Sequence, residues 1–258
     1  MSTFLNRTHV YGPVHSRRLG LSLGVNMNPL DGKHCTFDCI YCELGTNELR
    51  HTATPFPKAE EIARALEERL AELACDGTVP DAITLAGNGE PTENPEFPEM
   101  MERARALRDR FCPKAKIAVL SNATFAAVPK VLEALEQVDM NILKLDSVDP
   151  EFIRLVDRPH IPYDVEAVID AIASFKGHAI VQTIFLTGDV EGVHIDDTVP
   201  ELVDPWLDAL ARIKPEEAMI YTIARETALP GLQKAAPEVL DAVAAKVEKL
   251  GIPCEVAY

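Results

Sequence analysis

The chain is short of positive charge. Its 258 residues hold 25 Lys and Arg against 41 Asp and Glu, a net of −16. Proteins that grip nucleic acid non-specifically need a basic surface, because neutralised phosphates supply most of that affinity. The composition therefore excludes a generic polyanion binder. The shortfall is uneven: residues 1–34 carry Arg7, Arg17, Arg18 and Lys33 against Asp31 alone, which leaves room there for an anionic ligand. Long hydrophobic runs are also missing. The apolar stretches are strand-sized, well short of the roughly 20 residues a spanning helix needs, and no secretory leader is recognisable. A cytoplasmic protein with no membrane association is expected. Low-complexity tracts, linkers and strong internal repeats are absent, so one domain over residues 1–258 is expected. With 47% hydrophobic and 26% charged residues, the chain is neither disordered, collagen-like nor a small disulfide scaffold, and its length allows a full core without a metal staple.

Six cysteines are present. Cys35, Cys39 and Cys42 fall within eight residues, whereas Cys75, Cys112 and Cys254 stand singly. Without an export signal this pattern points to metal binding plus ordinary buried thiols rather than a disulfide framework.

Between these landmarks, short β-branched runs alternate with helical periodicity. Strands are predicted over 21–27, 82–86, 116–120, 141–145, 179–186 and 218–223, with a short last one over 254–257. Helices are predicted over 58–74, 97–111, 128–137, 150–156, 163–174, 199–213 and 237–250, and a loop over 187–198. In the first helix Ile62, Leu66, Leu70 and Leu73 share one face. Strand–helix alternation favours a parallel sheet with right-handed crossovers. Periodicity alone leaves a partial or closed barrel and an open doubly wound sheet both standing.

The strongest chemical signal is Cys35-Thr36-Phe37-Asp38-Cys39-Ile40-Tyr41-Cys42, a C-x3-C-x2-C spacing directly after the first predicted strand. Thiolates are soft ligands that suit iron–sulfur clusters or zinc. Three of them on one loop can each hold one iron of a four-iron cluster and leave the fourth iron open, as catalytic use requires. The rival is a structural zinc site of three cysteines and one of His9, His15, His34 or His51. Structural zinc usually joins two separated ligand pairs, and no second pair exists here. Polar residues also gather at predicted strand ends, where barrels and open sheets build sites: Ser121 and Asn122 after the third strand, Lys144 and Asp146 at the fourth. The bland reading for these is a buried ion pair or helix caps. Gln182 interrupts an apolar strand, facing either the interior or outward. Arg17, Arg18 and Arg225 suit a carboxylate or phosphate, or pair with surface acids.

With Tyr41 before its last cysteine, the motif resembles the C-x3-C-x-aromatic-C signature of the radical S-adenosylmethionine (radical SAM) superfamily. Gly12-Pro13-Val14-His15-Ser16-Arg17-Arg18-Leu19-Gly20 and Leu23-Gly24-Val25-Asn26 are similar to a subgroup placed with wyosine-type tRNA-modifying enzymes. The resemblance runs over about residues 10–226. It implies an α/β fold, a partial (β/α)6 TIM-like barrel of parallel strands over about 20–226, followed by the helix and short strand within 237–258. It implies one [4Fe-4S] cluster on Cys35, Cys39 and Cys42 with S-adenosyl-L-methionine (SAM) as second cofactor. Gly87-Asn88-Gly89-Glu90-Pro91 looks like the glycine-rich segment that takes the SAM amino group, with Asn88 where a glycine is usual. Tyr41, Ser121, Asn122, Lys144, Asp146 and Gln182 are the other implied SAM contacts. Reductive SAM cleavage to a 5′-deoxyadenosyl radical would follow, fed by a low-potential flavodoxin- or ferredoxin-like donor. No extra domain closing the mouth is evident, so a macromolecular substrate, RNA or polypeptide, is expected, with Arg17, Arg18 and Arg225 as candidate contacts. The acidic charge weakens the tRNA analogy. Two other classes stand beside this one: a SAM-independent iron–sulfur electron carrier and a zinc-stabilised binding module.

Overall fold

The computed structural model describes residues 5–47 and 54–258. Two strands open the fold, β1 (Val10–Ser16) and β2 (Gly20–Asn26), paired antiparallel. Strand–helix units follow: α1 (Ala59–Cys75), β3 (Ala82–Ala86), α2 (Phe97–Phe111), β4 (Lys116–Ser121), α3 (Pro129–Leu135), β5 (Met140–Lys144), α4 (Pro150–Val156), α5 (Val165–Ser174) and β6 (Ile180–Ile184). A hairpin, β7 (Leu186–Val190) and β8 (Val193–Asp196), precedes α6 (Pro200–Ile213) and β9 (Glu217–Tyr221). β10 (Leu232–Lys234), α7 (Pro237–Lys249) and β11 (Cys254–Ala257) complete the chain.

The main sheet runs β1-β2-β3-β4-β5-β6-β9-β11. Every pair from β2 onward is parallel, and the sheet curls into a half-barrel of the partial TIM-like kind. Alternation along each strand sorts the side chains. Ile117, Val119, Leu143, Val181 and Ile220 face outward into the main core under the helices. Ala118, Ile142, Ile180 and Met219 form a separate inner cluster, against which Leu19 packs. Helix starts follow local chemistry: the Asp149 side chain accepts from the Phe152 amide at 2.7 Å at the start of α4, and Asp164 caps α5.

The predicted strands and helices recur with ends shifted by a few residues, and three departures matter. β1 is absent from the sequence reading because Gly12-Pro13 interrupts it; the register shifts between Tyr11 and Val14, and proline is tolerated because this is an edge strand. The predicted strand over 179–186 divides at Phe185, whose amide turns to the Tyr221 carbonyl at 2.8 Å. The predicted loop over 187–198 is instead the β7–β8 hairpin, joined with β10 in a second, three-stranded sheet. Its turn is Glu191-Gly192, both at positive φ (52° and 82°), the two-residue geometry that matches strand twist.

Trp206 on α6 is buried and donates its Nε1 to the Leu145 carbonyl and the Thr183 hydroxyl, each at 3.1 Å. It thus fixes the ends of β5 and β6 from behind. Trp206→Phe leaves both acceptors one donor short and is expected to lower stability by about 1–3 kcal/mol. Urea denaturation measures this, and an unchanged midpoint would contradict it.

Candidate active site at the mouth of the half-barrel

The segment carrying Cys35, Cys39 and Cys42 leaves β2 at the C-terminal end of the strands. It has no regular structure of its own, so its backbone groups need external partners. On one side the chain after α4 supplies them: Asp38 N donates to the Asp157 carbonyl at 3.0 Å, Ile40 N to the Val156 carbonyl at 2.9 Å, and His160 N to the Thr36 carbonyl at 3.1 Å. On the other side the glycine-rich segment after β3 pairs as a short parallel bridge. His34 N donates to the Asn88 carbonyl at 2.7 Å and Glu90 N to the His34 carbonyl at 2.8 Å. Gly89 makes this approach possible: a Cβ there would lie 1.5 Å from the His34 oxygen, and its φ is +138°. Above the loop, Ile40 packs into a cluster with Phe152, Ile184, Leu186, Val190 and Ile195. The hairpin that the sequence reading missed therefore roofs the cysteine loop.

Burial pushes the Cys35 thiol up to about 12, with Lys33 pulling the other way. The Cys39 thiol is driven well above its ordinary value by the same cause, Lys144 opposing. Thiols whose anions are this costly when apo give up their protons when a metal charge replaces them. The three cysteines feel one another electrostatically. Lys33 is almost fully buried and reaches Asp38 at 3.3 Å and the Gly45 carbonyl at 2.9 Å. Burial works to lower its pKa, but Cys42, Cys35, Cys39 and Asp38 carry it upward. Asn122 Nδ2 stands 3.7 Å from Cys35 Sγ and 2.8 Å from Thr36 Oγ1. Three soft donors, an amide aimed at sulfur and a buried cation suit an anionic iron–sulfur cube, whose irons sit at separate corners. Among the described residues, no three His, Cys, Asp or Glu side chains are arranged to hold one metal ion. His51, a candidate zinc ligand, lies outside the described residues. Cys75, Cys112 and Cys254 lie at the end of α1, after α2 and at the start of β11, the opposite end of the strands.

The other expected site residues divide by what they touch. Tyr41 OH donates to Asp146 Oδ2. Lys144 Nζ meets Asp146 at 2.5 Å and Asp157 at 2.6 Å, and its charge lies over the Phe37 and Tyr41 rings. Burial pushes the Asp157 carboxyl upward, with Lys144 opposing. This network joins the end of β5 to the end of α4 and to the loop. Gln182 faces the lumen beside Lys144, and its Nε2 is buried without a hydrogen-bond partner.

Glu90 and Ser121 lie together, away from the open lumen. Glu90 Oε1 accepts from Thr92 N, Thr92 Oγ1 and Ser121 Oγ, and its Oε2 accepts from Asn122 N at 2.6 Å. Burial raises the Glu90 pKa and these bonds oppose it. The carboxylate is thus engaged in holding β4 against the glycine-rich segment. Gly87 lets the chain pass Asn26, whose Oδ1 would be 2.2 Å from a Cβ. Asn88 turns its side chain the other way. It exchanges bonds with the backbone of Asn6 at 2.8 and 2.9 Å and reaches the Pro29 carbonyl at 3.1 Å. An asparagine in place of glycine here clamps the N-terminal segment.

Of the arginines, Arg225 pairs with Glu43 at 2.7 Å on the exposed rim. Arg17 donates to the Tyr258 carbonyl at 2.7 Å, and Arg18 lies over the Tyr221 ring. Sequence reasoning missed Lys33, Asp38 and Asp157. A lysine two residues before Cys35 was the one available sign of the first; Asp157 becomes adjacent only through the fold.

These contacts separate two neighbouring substitutions. Asn88→Gly removes the clamp but not the bridge, and is expected to cost about 2 kcal/mol and to speed proteolysis near residue 6. Gly89→Ala forces the bridge apart and is expected to cost at least about 3 kcal/mol. Denaturant midpoints of the two variants check this; equal losses would refute it.

The sequence profile of the radical SAM superfamily matches residues 31–214, more than half of the chain. A "UPF0026 protein" of Helicobacter pylori is 32% identical over 183 residues, covering 69% of this chain and 56% of that one. The chain spans about half the length of the curated relatives it matches. Among solved structures, a radical SAM methyltransferase from Sphaerobacter thermophilus superposes with a TM-score of 0.65 at 17% identity, covering 91% of this chain and 65% of that one. Streptococcus suis SuiB bound to S-adenosylmethionine gives 0.62 at 14%, covering 91% and 50%. Members of this superfamily are enzymes. The cysteine loop falls inside the matched region, and the chain belongs to the radical SAM superfamily.

Proposed function

We propose that the chain is a radical SAM enzyme whose Cys35, Cys39 and Cys42 hold a [4Fe-4S] cluster at the mouth of the half-barrel. One observation carries the reading: three thiols ride on one loop whose backbone is held on both sides at the C-terminal strand ends. The chemistry a cluster held there would supply is one electron to the SAM sulfonium, whose carbon–sulfur bond would break to give methionine and a 5′-deoxyadenosyl radical for hydrogen abstraction.

The protein's own part is binding, orientation and exclusion of water. Lys33 offsets negative charge beneath the loop, and Asn122 directs an amide at Cys35. The backbone of the segment Gly87-Asn88-Gly89-Glu90 lines one side of the site for the SAM amino group. Glu90 acts through Ser121 and Asn122 rather than as a free carboxylate. Tyr41, Lys144 and Asp146 present one shared network toward SAM, and the unpartnered Gln182 amide is available to a ligand in the lumen.

We also assign the setting and the partners. Residues 1–258 form one core unit, placed in the cytoplasm. Among the described residues no helix is long and apolar enough to cross a membrane. A flavodoxin- or ferredoxin-like protein supplies the electron. The substrate is macromolecular; the net charge of −16 favours a polypeptide over RNA, and with it a relative rather than a member of the wyosine-type subgroup.

Anaerobic reconstitution tests the core of this reading. About four irons and four sulfides per chain and SAM-dependent release of 5′-deoxyadenosine are expected. Cys35→Ala, Cys39→Ala or Cys42→Ala should each reduce product at least 100-fold. Colourless protein with one zinc, or a cluster that leaves SAM intact, would overturn it.

A further inference from the structure

A cavity of about 370 Å³ lies inside the half-barrel, between the cysteine loop and β9. Arg18, Tyr41, Cys42, Leu120, Ile184 and Tyr221 are among the residues that line it. Arg18 enters from the turn between β1 and β2, and its guanidinium stands 4.8 Å from the centre of the Tyr221 ring. Its Nη1 is buried without a hydrogen-bond partner. Among the described residues no carboxylate lies within 4.0 Å of it.

Acids are not scarce: Arg103, Arg108, Arg158, Arg212 and Arg225 all meet one. Arg17, its neighbour, is occupied by the Tyr258 carbonyl. A guanidinium enclosed beside an aromatic face loses hydration, and proteins normally offset that loss with an opposite charge. Here the described residues supply none within 4.0 Å: Glu43, which lines the same cavity, pairs with Arg225 instead, and the open side of the guanidinium faces a cavity that also reaches Cys42.

The geometry also selects among anions. The guanidinium fork fits two oxygens of one group. Arg18 brings a single unit of positive charge; of the other charged groups on the cavity wall, Arg225 is balanced by Glu43 and Arg17 donates to the Tyr258 carbonyl. A carboxylate balances that charge, whereas a phosphate dianion would leave an uncompensated negative charge in an acidic protein. Leu120 and Ile184 offer apolar cover for the carbon chain that carries the carboxylate.

We infer that Arg18 is the recognition residue for a carboxylate group of the substrate, held in the lumen against Tyr221 beside the cysteine loop. The inference rests on the radical SAM reading for the identity of the cavity as the reaction chamber. The other carboxylate that could reach Arg18 is SAM's own.

The test uses the cluster-loaded full chain under anaerobic conditions, with glutarate and inorganic phosphate as probes and SAM titrated separately. Glutarate is expected to bind saturably, at least 10-fold more weakly to Arg18→Gln, with Arg18→Lys between the two. SAM affinity should stay within 2-fold in both variants. Ligand-free Arg18→Gln should melt no lower than the parent, which shows that the substitution leaves the fold intact. Equal glutarate binding by parent and Arg18→Gln overturns the inference, as does preference for phosphate. A 10-fold loss of SAM affinity with glutarate unaffected assigns Arg18 to SAM and also overturns it. Failure of the parent to cleave SAM while glutarate still binds through Arg18 would sink the enzymatic reading and leave the carboxylate site standing.

Discussion

A loop that carries three cysteines and has no regular structure of its own must be held in place by its backbone. In this protein that constraint organises the mouth of the half-barrel. The end of α4 supplies carbonyls to Asp38 and Ile40, and the glycine-rich segment exchanges amides and carbonyls with His34. Because the second contact is backbone against backbone, it tolerates no side chain at Gly89. The glycines after β3 are thus explained first by their proximity to the cysteine loop. Any role toward a ligand builds on that arrangement.

Charge is the second organising feature. The chain is acidic overall, yet it buries Lys33 and Lys144 beside the cysteine loop. A buried ammonium is costly unless neighbours compensate it. Lys144 has two carboxylates and two aromatic faces, and Lys33 has Asp38, a carbonyl and three thiols. Both cations act electrostatically on the cysteines of the loop, so the proposed cluster site would find positive charge already in place. Tyr41 fits the same logic, since its hydroxyl draws Asp146 into the network through a residue of the cysteine motif itself.

Much of this was legible in the sequence. The cysteine spacing, the alternation of strands and helices, and the clustering of Ser121, Asn122, Lys144 and Asp146 at strand ends all follow from local periodicity and residue type. What was not legible depended on long-range geometry. Asp157 lies far along the chain from Cys39, and only the turn after α4 brings it beside the loop. Asn88 stands among glycines, but its partners Asn6 and Pro29 come from the start of the chain. The edge strand β1 was obscured by its own proline. The β7–β8 hairpin was read as a loop because its turn, Glu191-Gly192, lacks the Asn or Asp that usually announces such a turn. Glu90 has the residue type of a ligand contact, and only the structure reveals that its oxygens are already engaged.

The central claim is that three thiolates leave one iron of a cluster open to SAM. Mössbauer spectroscopy of protein loaded with 57Fe, recorded with and without SAM, tests it most directly. The account predicts that SAM shifts the signal of one iron in four and leaves the other three in sulfur-only environments. Four irons that ignore SAM, or a spectrum without a four-iron cluster, would contradict it.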